Sequence, residues 1–180
     1  MNFYIADTHF GHSNIIRLCN RPFYDVNQMD ETLIYNWNKR VSDEDVVYIV
    51  GDFAFKSAKN PVDILHRLRG KKVLIEGNHD DKNLRNPEFR KCFIEICQLK
   101  TIYEGNKKIQ LCHYPLVEWD GYFRGSYLIY GHIHNNVSNR AYKVMKSESN
   151  ALNAGVDVTN FMPVTFEELI ALNEHFKSIN

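Results

Sequence analysis

Apolar residues follow two rhythms along this chain. Short unbroken runs, Phe3-Tyr4-Ile5-Ala6, Val46-Val47-Tyr48-Ile49-Val50, Val73-Leu74-Ile75 and Tyr127-Leu128-Ile129-Tyr130, are rich in β-branched and aromatic residues and stop at polar residues or glycine. Runs of this length predict strands buried on both faces, as in a parallel sheet. Between them the spacing turns helical. A short helix is expected around Asn14 to Cys19, broken at Asn20-Arg21-Pro22 because proline disfavours helix at the residue before it. Asn27 is placed to cap a second helix, with Met29, Leu33, Ile34, Trp37 and Val41 at helical spacing behind it. Asn60-Pro61 opens a third, carrying Val62, Leu65 and Leu68 on one face and ending at Gly70. The first half reads β-α-α-β-α-β, the signature of parallel strands with helical crossovers.

The second half changes character. Lys100–Glu104 and Lys107–Cys112 flank Gly105-Asn106, a pair that tolerates left-handed backbone and predicts a hairpin turn. Ala151 to Val158 suits another strand, and the pattern admits one before it at Tyr142–Lys146. Thr165-Phe166-Glu167-Glu168 is a capping box that starts a last helix toward Phe176. The expectation is one mixed α/β domain over residues 1–180 with more than one sheet.

Composition narrows the functional classes. Twenty-two basic residues balance twenty-two acidic ones. A broad basic surface for long nucleic acid is therefore not expected, and small phosphorylated or nucleotide substrates fit better. Cys19, Cys92, Cys97 and Cys112 form neither a C-x-x-C pair nor a secreted-type framework, which suits reduced thiols in a cytoplasmic protein. The N-terminal residues lack the pattern of a signal peptide, and no apolar run has the roughly 18 residues of a membrane span.

The chemistry collects where the strands stop. Five apolar runs deliver, in turn, Asp7 and His9, Asp52, Asn78 and His79, His113, and His132 with His134. Each has a plainer reading: an aspartate can cap a helix, and a lone histidine can be a hydrogen-bonded core residue. Five recurrences point to one cause. Carboxylate, imidazole and amide oxygen together suit Mn, Fe, Zn or Ni, and the lack of cysteine among them argues against a structural zinc knot. Residues two apart in extended chain face the same side, so Asp7 and His9 can address one ion, and His132 and His134 one cleft. Seven ligands, Asp7, His9, Asp52, Asn78, His113, His132 and His134, exceed one ordinary ion and suit two sharing a carboxylate.

Asp7-Thr8-His9, Gly51-Asp52, Gly77-Asn78-His79-Asp80, His113 and Gly131-His132-Ile133-His134 together resemble the calcineurin-like metallophosphoesterase family, in that family's order. Asn153-Ala154-Gly155-Val156-Asp157 resembles the closing strand of its small bacterial and phage-type members. The resemblance implies an α/β fold of two mixed β-sheets packed face to face with flanking helices. It assigns Asp7, His9, Asp52 and His134 to a first ion, and Asp52, Asn78, His113 and His132 to a second, with Mn foremost among the metals. His79 matches the catalytic histidine, close to substrate. One departure stands out. The phosphatase branch has a D-R-G signature whose aspartate partners that histidine, whereas Gly51-Asp52 here runs into Phe53-Ala54-Phe55-Lys56. Asp80 can orient His79 or merely cap a helix.

The implied activity is hydrolysis of phosphate mono- or diesters by in-line attack of a metal-bridging hydroxide, with protonated His79 serving the transition state or the leaving oxygen. His12, Arg21 and Tyr114 adjoin the ligand loops and are candidates to bind substrate, although each also has a purely local role available. Two other classes stay open: a nuclease or nucleic-acid end-processing enzyme on the same centre, and a catalytically silent protein-binding scaffold of the same fold.

Overall fold

Parallel pairing turns the apolar runs into a sheet whose strands all end at one edge. The computed structural model describes residues 1–179, leaving Asn180 of the expected domain outside. Strand β1 (Asn2–Ile5), helices α1 (Ser13–Leu18) and α2 (Val26–Arg40), strand β2 (Val46–Ile49), helix α3 (Pro61–Arg67) and strand β3 (Lys71–Ile75) follow in the expected order. Two short helices, α4 (Asp81–Leu84) and α5 (Pro87–Lys91), then lead into β4 (Glu95–Cys97). Strands β1-β2-β3-β4 lie side by side in that order, every pair parallel.

A single residue, Gln98, separates β4 from β5 (Leu99–Glu104), which opens the second sheet. It pairs antiparallel with β6 (Lys107–Cys112) across a turn where Gly105 is left-handed. Strands β7 (Tyr127–Tyr130) and β8 (Ala151–Asn153), the latter preceded by helix α6 (Arg140–Met145), complete it in parallel, and helix α7 (Phe166–Ser178) closes the fold. The two-sheet α/β architecture with flanking helices is thus present, and antiparallel strand pairing is confined to β5–β6 and an isolated Tyr4–Val164 bridge among the described residues.

Three local expectations are corrected. Helix α2 is capped by Asp25, whose carboxylate accepts from the Gln28 amide at 2.8 Å, so it starts before Asn27. Tyr142–Lys146 is helical rather than extended: Asn139 caps α6, and Tyr142 and Met145, three apart, bury on one face. The strand at Ala151 stops at Asn153 because the chain crosses to the other sheet, with Ala154 bonding both Tyr130 and Ala6. The capping box forms as expected between Thr165 and Glu168.

Alternation along the strands builds the core. Tyr4, Ala6, Tyr48, Val50, Val73 and Ile75 face Ile109, Leu111, Ile129 and Leu152 of the other sheet. Phe3, Ile5, Val47, Ile49 and Leu74 face outward onto α2, α3 and α5, and Leu128, Tyr130 and Ala151 face α6 and α7. No helix among the described residues is long and apolar enough to cross a membrane. Trp37 is completely buried and its indole donates to the Arg69 carbonyl at 2.9 Å. Trp37→Ala should cost about 3–5 kcal/mol, read as a lower urea midpoint at unchanged slope.

Candidate metal centre

The loops after β1 and β2 continue side by side past the strand ends. Asp7 N donates to Gly51 O, His9 N to Asp52 O and Phe10 N to Phe53 O, all within 2.9–3.0 Å. The Thr8 hydroxyl adds a bond to Phe53 O at 2.7 Å. Within this zipper the backbone is not extended. Asp7, His9 and Asp52 have φ of 56°, 51° and 57°, and His132 and His134 have 71° and 51°. Asp7 and His9 therefore converge because both are left-handed, which corrects the argument from extended alternation. Such conformations cost on the order of 1–3 kcal/mol each and cluster where function demands them.

Side chains from all five strand ends meet here. One carboxylate oxygen of Asp52, Oδ2, lies 3.5 Å from His9 Nε2 and 3.6 Å from His113 Nε2. Its other oxygen accepts the His79 amide at 2.9 Å. Asn78 Oδ1 lies 3.0 Å from His113 Nε2 and 2.9 Å from His132 Nδ1. Asp7 accepts the His132 amide and stands with His9 and His134 on one side and with Asp52 and His113 on the other, each set within metal-ligating reach. The histidines thus divide: His134 stacks on His9 at 5.1 Å, while His132 meets His113 edge-on at 5.2 Å.

This donor set fits divalent metal. His9 is 1% exposed, yet neither ring nitrogen has a hydrogen-bond partner. Burial, then the neighbouring histidines and Arg21, push its pKa well below the usual value, holding the ring in its metal-binding neutral form. His113 Nδ1 meets the Val50 carbonyl at 2.9 Å, so that nitrogen carries the proton and Nε2 presents a lone pair to the cluster. His134 Nδ1 donates to Asp157 Oδ2 at 2.9 Å. Two glycines of the motifs are explained by crowding. A Cβ on Gly77 would collide with the Asp52 carboxylate and amide, and Gly51 combines a φ of +85° with contact against the His113 ring.

The remaining expectations sort differently. Asp80 neither caps α4 with its side chain nor reaches the His79 ring. Fully buried, it accepts the amides of Asp52, Phe53 and Gly77 at 2.9, 3.0 and 2.9 Å, tying the β2 and β3 loops together. Burial pushes its pKa up to about 6 despite those bonds. Arg21 is corrected as a substrate contact. It is 4% exposed, pairs bidentately with Asp157 at 2.8 and 3.1 Å, and donates to the Asp7 and Thr8 carbonyls, so its guanidinium is spent beneath the site. His12 and His79 line a cleft of about 630 Å³ with His9, His132 and His134. Tyr114 lines a second of about 430 Å³ with Asn78 and Glu76, packing edge-on against His132 at 4.8 Å. Asp157 was missed as a site residue. It falls within the strand expected over Ala151–Val158 and four residues past the observed end of β8, so the strand-end pattern does not single it out.

No protein-family model matches the chain. An uncharacterized protein of Methanocaldococcus jannaschii, MJ1445, is 36% identical over 179 residues, covering 98% of this chain and 93% of that one. The Gene 66 protein of Mycobacterium phage L5 is 28% identical over 160 residues, 74% of this chain and 77% of its own. The crystal structure of AQ665 from Aquifex aeolicus, a protein of unknown function, superposes with a TM-score of 0.72 at 29% identity, over 96% of this chain and 98% of that one. The chain belongs to one family with MJ1445, and its ligand-type residues stand at the ends of five strands of this two-sheet fold, in the order that the resemblance to calcineurin-like metallophosphoesterases requires.

Proposed function

We propose that this protein is a dinuclear-metal-dependent phosphoesterase acting on phosphate mono- or diesters of small or nucleotide type. The observation that carries the reading is the pair of partnerless ring nitrogens of buried His9 beside an Asp52 oxygen shared with His113. Asp7, His9, Asp52 and His134 would hold one ion, and Asp52, Asn78, His113 and His132 the other. Mn is the first choice for so mixed an oxygen and nitrogen set, with Fe, Zn and Ni as alternatives. Such ions supply a water nucleophile of lowered pKa and neutralise charge on the phosphoryl oxygens.

The chain's own groups do the rest. His79 stands at the mouth of the larger cleft with its amide tied to Asp52, so its ring can meet a leaving-group oxygen and give it a proton. His12 shares that cleft and can bond a phosphoryl or sugar oxygen. Two clefts flank the ligand cluster, and among the described residues neither is lined by a lysine or arginine. A singly charged diester, with one substituent in each cleft, suits that geometry better than a dianionic monoester, whose second charge finds no lysine or arginine in either lining.

His134 makes the metal reading testable by pH. Burial opposes its charged form, but hydrogen bonds to Asp157 and Cys19 and the nearby carboxylates outweigh that and hold its pKa at about 10. In metal-free protein the charged ring contributes stability that is fully present below its unfolded value and lost as pH rises through about 10. Metal at Nε2 must displace one proton, so affinity runs the other way. It should rise about tenfold per pH unit between about pH 7 and 9, with roughly one proton released. Calorimetric titration of chelated protein with Mn in buffers of different ionisation enthalpy reads both, and a pH-independent affinity would contradict the ligand assignment.

Activity tests the whole. Protein stripped by chelator and reloaded with Mn, Ni, Zn or Mg should hydrolyse an aryl diester, an aryl monoester or 2′,3′-cyclic nucleotides in at least one combination. Hydrolysis in none of them would favour a silent scaffold. His79→Ala should lower kcat about 10²–10⁴-fold with bound metal unchanged; a loss of only a few-fold would remove His79 from the reaction.

A further inference from the structure

The geometry points to Phe55 as the residue that positions His79, a role that rests on the catalytic reading of His79 above. The His79 ring makes no hydrogen bond or ion pair with a described protein group, and the carboxylates beside it are committed elsewhere. Asp80 is taken up by three backbone amides, and Asp81 is exposed and pairs with Arg85. What the ring touches is aromatic. Its centroid lies 4.0 Å from that of Phe55 at 45°, and 5.4 Å from that of His9. Phe55 also meets the edge of His12 at 4.9 Å and His9 at 6.5 Å. One phenyl ring from the loop after β2 is wedged between the histidines of the loop after β1 and the histidine of the loop after β3.

The wedge is itself held. Ala54 bridges Phe10 in parallel, Phe55 N donates to Phe10 O at 3.4 Å, and Asn83 donates to Ala54 O at 2.8 Å from α4. Lys56 is left-handed, with a φ of 49°, turning the chain away while its ammonium stays 5.1 Å from the Phe55 centroid. Beyond it, Lys59 pairs at 3.4 Å with buried Asp30, which accepts the Gly11 amide, pinning this loop to the one that carries His12. Aromatic pairs about 4.5–7 Å apart attract beyond their buried area, which covers the contacts of Phe55 with His12 and His9, whereas the 4.0 Å approach of Phe55 to His79 limits the tilt of that ring by direct contact. Phe55 can therefore fix a ring plane without giving the ring a charged partner.

Four proteins test this: Phe55→Leu, Phe55→Tyr, His79→Asn and the double variant Phe55→Leu/His79→Asn. Each is loaded with Mn and assayed on an aryl diester, with bound metal measured. In metal-free protein the His79 ring resonances are followed by proton–nitrogen correlation. Phe55→Leu should lower kcat roughly 10–100-fold, as losses of outer supporting groups do, while KM and bound metal stay level and the His79 resonances move. Phe55→Tyr, which keeps the ring, should recover most of that loss. In the His79→Asn background Phe55→Leu should have no further effect, because the residue acts through the missing ring. A Phe55→Leu protein with unchanged kcat beside an inactive His79→Asn overturns the proposal alone, as does a Phe55→Leu loss undiminished in the His79→Asn background. A fully active His79→Asn overturns the catalytic reading of His79, and the positioning role falls with it.

Discussion

Four carboxylates, those of Asp7, Asp52, Asp80 and Asp157, are folded out of water around one cleft, and the structure depends on how their charge is met. An isolated buried carboxylate is too costly to keep ionised without partners. Asp157 is satisfied twice, by the Arg21 fork and by His134, which hold its pKa below the usual value against the opposing pull of burial. Asp80 is met by three amides and Asp7 by one, and burial still lifts both toward a pKa of about 6. Asp52 receives a single amide on one oxygen and turns the other toward two imidazoles. The deficit is concentrated at Asp7 and Asp52, where the neutral nitrogen of His9 also lacks a partner. Divalent cations are the natural remedy for that deficit.

Much of this was readable in advance because parallel sheets are regular. Strands buried on both faces are uninterrupted apolar runs, and parallel strands finish at a common edge, so the first polar residue after each run marks the same place in space. That logic located Asp7, Asp52, Asn78, His113 and His132 without knowledge of their contacts. It failed where residues act from inside the protein. Arg21 is a candidate substrate contact in sequence because it adjoins a ligand-bearing loop, but its partner Asp157 is 136 positions away and invisible to local pattern. For Phe55, nothing in sequence distinguishes a phenyl ring that packs on a catalytic candidate from one that packs in the core.

The local errors have a similar origin. Asp25 and Asn27 are both good caps, and only tertiary context selects between helices starting two residues apart. Tyr142–Lys146 alternates well enough for a strand, but Asn139 supplies a cap and the burial of Tyr142 and Met145 favours helical spacing. Left-handed turns at non-glycine ligands cannot be read at all, because intrinsic preference argues against them. At Asp7, His9 and Asp52 they are held by the zipper between the β1 and β2 loops, whose bonds exist only once both strands are in place.

The crossing of the chain at Ala154, which bonds strand β1 on one side and strand β7 on the other, has a mechanical meaning. Asp7, Asp52 and Asn78 ride on one sheet, whereas His113, His132 and His134 ride on the other, so the candidate ligand cluster straddles the seam between two layers that pack through apolar side chains. Ions seated there would act as rivets through a laminate. They would resist sliding of the sheets, a motion that non-directional apolar contact alone opposes less.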